Sequence, residues 1–234
     1  MKIVSGKKVY DKWEEILNPD HTALLIIDMQ NDFCSEGGLF HRYGKDLTQI
    51  QYGITHIAQL LEVSRELGIL VVFVQQTTEL QGRSDSPPWL RLKVRDGKDP
   101  NYTLIGAWGW EVIDRLKPGA GDLVVRKYRS DAYVQSMLDI TLRSNRIESV
   151  LICGVVTEGC VESTVRGAIH HDYYAVLVED CVGSPNKDLH EAAMRIIRSR
   201  YDVISLPEVL KLFSSMTENR NRRLDNEKDG VERD

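Results

Sequence analysis

Short apolar runs separated by longer amphipathic ones dominate this chain, and that rhythm restricts its fold more than any other feature. Runs at residues 23–28, 69–75, 122–126, 149–155, 174–179 and 202–206 are each rich in Val, Ile or Leu. Several lack polar alternation, as expected of strands covered on both faces of a parallel sheet. Between the first two, residues 50–67 carry Ile50, Ile54, Ile57, Leu60, Leu61 and Leu67 at helical spacing, with Gly68 as a stop signal. Further helices are expected at 110–116, 135–145, 160–171, 187–199 and 208–214. Right-handed crossovers then give an α/β fold, a three-layer α/β/α domain around a mostly parallel, doubly wound sheet of about six strands.

That domain is expected over residues 21–215, after an extension at 1–20 and before a charged tail at 216–234 expected to lack fixed structure. With 42% hydrophobic residues in 234, the chain can bury a sizeable core. A net charge of -5 leaves no basic excess for a nucleic-acid backbone or an anionic membrane, so neither is an expected partner. The apolar runs are far shorter than the roughly 18–20 residues of a membrane helix. Residues 1–18 contain no apolar stretch of the secretory kind, so a cytoplasmic location is expected. In that reducing setting Cys34, Cys153, Cys160 and Cys181 read as free thiols. The irregular stretch 80–106, with Pro87, Pro88 and Pro100, is a candidate lid or pocket wall.

Ligands of an open parallel sheet bind outside the carboxyl ends of its strands. Three such ends carry reactive groups: Asp28 after Leu25-Ile26-Ile27, Lys127 after Val124-Val125-Arg126, and Cys160 after the run Gly154-Val155-Val156-Thr157-Glu158-Gly159. The last run has the glycine spacing of a phosphate loop, but Cys160-Val161 stands where that motif needs Lys and Ser or Thr, so nucleotide binding is excluded. What survives is a strand, a tight turn and a helix presenting a thiol among backbone N–H donors. The helix N-terminus is expected to favour its thiolate.

The segments Leu25-Ile26-Ile27-Asp28-Met29-Gln30-Asn31-Asp32-Phe33, the Lys127 region, and Gly154 through Cys160-Val161-Glu162-Ser163-Thr164 occur in the order and spacing of one family. The chain resembles the isochorismatase-like cysteine hydrolases, in the branch of N-carbamoylsarcosine amidases, ureidoacrylate amidohydrolases and biuret-type hydrolases. The resemblance implies a catalytic triad of Asp28, Lys127 and Cys160 and an oxyanion hole from the N–H groups of Val156 and Cys160. A cis peptide bond between Val155 and Val156 is implied as well. It further implies hydrolysis of a small linear amide, carbamoyl or ureido compound through a thioester, with release of ammonia or an amine, by a homodimer or homotetramer. Nicotinamidases of the superfamily bind a metal after the second strand, where this chain reads Gln75-Gln76-Thr77-Thr78-Glu79, so neither a metal nor another cofactor is expected. The vinyl-ether hydrolases of the superfamily lack the nucleophilic cysteine present here. Such a hydrolase, or a non-catalytic scaffold, is the alternative.

Substrate contacts are read more weakly. Phe33, Tyr128, Trp89 and Trp108 are pocket walls or ordinary packing. Gln75 and Gln76 are donors and acceptors for a urea-like group, or exposed loop residues. Glu158 receives a substrate amino group, or is a helix N-terminal charge. Cys153 reads as core, whereas Cys34 and Cys181 either line the pocket or are structural. His170 and His171, adjacent on a helix, point apart and make a poor metal pair.

Overall fold

The apolar runs pair side by side as parallel strands. A computed structural model of the chain describes residues 1–231, with side chains up to residue 218 apart from residue 96. An antiparallel hairpin of β1 (Lys2–Val4) and β2 (Lys7–Val9) and a short helix, α1 (Trp13–Ile16), precede the domain. Then β3 (Thr22–Ile27), β4 (Leu70–Gln76), β5 (Leu123–Lys127), β6 (Ser149–Val155), β7 (Tyr174–Gly183) and β8 (Asp202–Ile204) form one six-stranded sheet. Its order is β5-β4-β3-β6-β7-β8, and every neighbouring pair runs parallel. The chain winds outward from β3 to β5, then crosses to β6 on the other side of β3. The switch point of this doubly wound sheet therefore lies between β3 and β6.

The helices are α2 (Asn31–Cys34), α3 (Leu39–Arg42), α4 (Thr48–Glu66), α5 (Pro87–Lys93), α6 (Leu138–Ser144), α7 (Glu162–His170), α8 (Lys187–Arg200) and α9 (Leu206–Val231). Because successive strand residues point to opposite faces, β3 splits its side chains between two cores. Leu24 and Ile26 join Ile50, Ile57 and Leu60 of α4 and Phe213 of α9, whereas Leu25 and Ile27 join Leu138 of α6, Val165 of α7 and Ile197 of α8. All six residues of β3 are buried, which explains its unbroken apolar run. The stop expected at Gly68 is a Schellman motif. Gly68 has φ +74°, its N–H donates to Arg65 O, and Ile69 N–H donates to Ser64 O.

Some elements differ from the sequence reading. The helix expected at 110–116 is two 3-10 turns, Trp108–Trp110 and Asp114–Leu116. Between them, Glu111 O accepts Asn31 N–H and Ile113 N–H donates to Met29 O, so backbone groups a helix would pair internally bind the segment after β3. The helix expected from residue 135 begins at Leu138, because Gln135 has φ +51° and the Ser136 hydroxyl caps Leu138 N–H. Cys181 lies inside β7, which is longer than expected. The extension at 1–20 is tied to the domain through Tyr10, which stacks on His21 with 5.0 Å between ring centroids and donates its hydroxyl to Glu148. The expected tail begins inside α9, where Met216 packs on the core, and residues 232–234 lie outside the described residues.

Gly154 lets the switch point close. Its φ is +121°, and a Cβ there would collide with the carbonyl oxygen of Ile27, the residue preceding Asp28. Gly154→Ala is therefore expected to destabilise the protein by about 2–4 kcal/mol, since it joins a disfavoured backbone conformation to overpacking. Urea denaturation checks this, and an unchanged midpoint would contradict so close an approach.

Candidate active site

Each of three parallel strands delivers one polar group to the same end of the sheet. Asp28 follows β3 directly, with φ +53°, and is 1% exposed. Its N–H donates to Val74 O at 2.8 Å, and its Oδ1 accepts Gln76 N–H at 2.8 Å. Lys127 ends the edge strand β5, is 0% exposed, and stretches past the end of β4 toward β3. Its Nζ donates to Gln76 Oε1 at 2.9 Å, Arg129 O at 3.1 Å and Cys160 Sγ at 3.2 Å. Asp28 Oδ2 lies 2.8 Å from the same Nζ, a buried ion pair beside the thiol.

Cys160 sits in a five-residue π turn, Thr157–Val161, between β6 and α7, and the peptide bond before it, Val155–Val156, is cis. Protein surrounds the sulfur, which retains an opening to a cavity of about 240 Å³. Asp28, Gln76 and Cys160 line its floor, and Phe33, Phe40, Trp89, Leu92 and Tyr102 are among its walls. This volume falls below the roughly 300–1,000 Å³ typical of pockets for drug-sized ligands, and so suits a smaller molecule. Stretch 80–106 forms one wall. Lys93 anchors it from within, donating to Thr78 Oγ1 and Asp85 Oδ2 at 2.9 Å each and lying 4.6 Å over the Tyr102 ring.

Burial and charge act against each other on Lys127 and Cys160. Burial would pull the Lys127 ammonium down, but the Asp28 carboxylate and Cys160 outweigh it and hold the group above the ordinary lysine range. Burial pushes the Cys160 thiol up to about 12; the ammonium pulls it down, and the Asp28 carboxylate adds to the rise. The Lys127 ammonium and the Asp28 carboxylate thus act on the thiol in opposite senses. Burial and the Asp28 carboxylate oppose the thiolate that the helix N-terminus is expected to favour.

The structure separates several residues that the sequence suggested together. Phe33 and Trp89 line the cavity, whereas Trp108 is half exposed outside it. Gln75 turns away to donate to the Trp110 carbonyl, because alternation along β4 points Gln76 into the site in its place. Tyr128 donates to Glu79 in a neighbouring surface cleft. Glu158 accepts the Ser184 hydroxyl on the far side of the turn. Cys34 and Cys181 are buried outside the cavity lining. Lys93 was missed, whereas Gln76 is one of the two strand-end amides the sequence offers for a urea-like group. The Gln75-Gln76 pair signalled that one amide would face the site, but nothing local marked Lys93. Among the described residues no three His, Cys, Asp or Glu side chains converge as a metal site would require.

Residues 22–207 match the Isochorismatase domain family. The ureidoacrylate amidohydrolase RutB of Variovorax paradoxus (strain S110) is 36% identical over 174 residues, covering 70% of this chain and 69% of its own. A cysteine hydrolase from Pseudomonas syringae pv. phaseolicola 1448A superposes with a TM-score of 0.74 at 23% identity, over 89% of this chain and 98% of that one. The N-carbamoylsarcosine amidase of Thermoplasma acidophilum superposes with a TM-score of 0.62 at 25% identity, over 80% and 96%.

Two outcomes follow from the triad's electrostatics. Lys127→Met strands a buried carboxylate and is expected to lose about 3–5 kcal/mol in denaturant titration, part of which Asp28→Asn restores in the double variant. Asp28→Asn by itself removes a negative charge that holds the thiol up, so the pH midpoint of Cys160 alkylation by iodoacetamide should move down. A midpoint that stays in place would show that Asp28 does not sense the sulfur.

Proposed function

The chain belongs to the isochorismatase family, and from that premise we propose that it is a cysteine amidohydrolase cleaving a C–N bond of a small linear ureido or carbamoyl compound. One observation carries the reading: the Lys127 ammonium touches both Asp28 and Cys160 at the floor of a small cavity. The names of the similar ureidoacrylate amidohydrolase and N-carbamoylsarcosine amidase point to the same bond type.

In this reading Asp28 Oδ2 takes the thiol proton as Sγ attacks the carbonyl carbon, and the C=O electrons move onto oxygen. The N–H groups of Val156 and Cys160 hold that oxyanion. On collapse the C–N bond breaks, Asp28 returns the proton to the departing nitrogen, and ammonia or an amine leaves an acyl thioester. Water, deprotonated by Asp28, then attacks the thioester and restores the thiol. Lys127 keeps its proton throughout and offsets whichever neighbour is anionic. Asp28, Lys127 and Cys160 are thus the catalytic residues, and Phe33 with Gln76 faces the substrate.

A metal centre of the nicotinamidase kind does not fit, because residues 75–79 offer amides, hydroxyls and one carboxylate that Tyr128 engages. No described helix is long and apolar enough to cross a membrane. Cytoplasmic residence and assembly into a homodimer or homotetramer extend the proposal from the family resemblance, and the net charge of -5 argues against a nucleic-acid partner.

The test is ammonia release from ureidoacrylate, biuret, N-carbamoyl amino acids, maleamate and nicotinamide, run beside Cys160→Ala. Release from a ureido or carbamoyl member is expected, lost by at least about 10³-fold in the variant and untouched by EDTA. Release that survives Cys160→Ala would refute the thioester route, and loss to EDTA reversed by zinc would refute the metal-free one.

A further inference from the structure

The turn bearing Cys160 meets the cavity on one side and helix α8 on the other. Thr157, its first residue, is 0% exposed and places Oγ1 2.8 Å from His190 Nδ1. Its second residue, Glu158, accepts the Ser184 hydroxyl at 2.8 Å, and Ser184 Oγ accepts the Asn186 N–H at 3.0 Å. Asn186 caps α8 through Leu189 N–H, and its carbonyl accepts the His190 N–H at 2.9 Å. These bonds close a ring: Thr157, Glu158, Ser184, Asn186, His190 and back to Thr157. Neither Thr157 nor His190 lines the cavity.

We infer that His190 is a positioning residue, acting through Thr157 to fix the turn that aims the Cys160 sulfur. The inference rests on the amidohydrolase reading for its kinetic form. Cys160 lies three residues beyond Thr157, so a turn free to rock at that end displaces the sulfur from Lys127 and from the acyl carbon. A misplacement of about 1 Å can cost around 10²-fold in rate. The bond itself is in a dry setting, where losing one partner leaves the other buried and unpaired. Burial pulls the His190 imidazole below its ordinary value, against the upward pull of Glu191 and Glu158. A neutral ring therefore meets the hydroxyl at neutral pH, adding no charge behind the nucleophile.

The experiment compares Thr157→Val, Thr157→Ser, His190→Phe and the Thr157→Val/His190→Phe pair, each first checked for a cooperative thermal transition. Thr157→Val removes the hydroxyl at nearly constant volume and covers the case in which His190→Phe does not fold. A fall in kcat of at least about tenfold is expected, with KM within about twofold, retention by Thr157→Ser, and a double variant no worse than the weaker single one. Unchanged kcat in folded Thr157→Val, or a change confined to KM, would overturn the assignment. The rate of Cys160 alkylation by iodoacetamide needs no substrate. It should slow at least about threefold in Thr157→Val, because the sulfur leaves the ammonium that lowers its pKa. If the wild type releases no ammonia from any compound, the amidohydrolase reading fails while this rate still decides the role of His190; an unchanged rate would overturn it.

Discussion

A single buried ammonium holds this site together. Lys127 is fully enclosed, and an isolated charge there would cost several kcal/mol of lost solvation. Its stability depends on four partners from separate parts of the chain: Asp28 after β3, Gln76 at the end of β4, the Arg129 carbonyl and the Cys160 sulfur. The requirement acts in reverse as well. Asp28 is buried against the ammonium, and its carboxylate and that ammonium push the Cys160 thiol in opposite directions. Removing one member therefore alters the protonation of the rest.

The sheet supplies the convergence that this charge needs. Parallel strands bring all their carboxyl ends to one edge, and the crossover from β5 to β6 opens a crevice beside β3. Gly154 allows β6 to approach Ile27 as closely as the site demands. Floor and walls then answer to different constraints. Strand ends and the β6–α7 turn set the floor, whose chemistry needs fixed distances. Short helices and a loop set the walls, through Phe33 of α2, Phe40 of α3, Trp89 and Leu92 of α5, and Tyr102.

Much of the floor was legible in the sequence, because Asp28, Lys127 and Cys160 lie beyond apolar runs and stand in the motif order of the family the chain resembles. The range 149–155 coincides with β6, and Gly68 ends α4 through the motif its position suggested. Legibility failed where long-range partners compete with local preference. Residues 110–116 have a helical pattern, but their backbone groups serve Met29 and Asn31 instead. Gln75 and Gln76 look equivalent until the register of β4 turns one toward Trp110 and the other toward Lys127. The opposing influences on the thiol differ in the same way: a helix N-terminus can be read from sequence, whereas the burial that raises the thiol pKa cannot.

The sequence by itself determined the α/β class, the parallel sheet, the division of strand side chains between two cores, and the identity of Asp28, Lys127 and Cys160 as the reactive strand-end residues. Those properties follow from periodicity and from residue type, which are local. Only the tertiary structure decided that Gln76 rather than Gln75 completes the floor, that Lys93 braces the wall, that Glu158 faces away from the cavity, and that burial opposes ionisation of the thiol. Each of these depends on which distant group comes within a few ångströms and on how much water is excluded there. Neither quantity exists until the chain has folded.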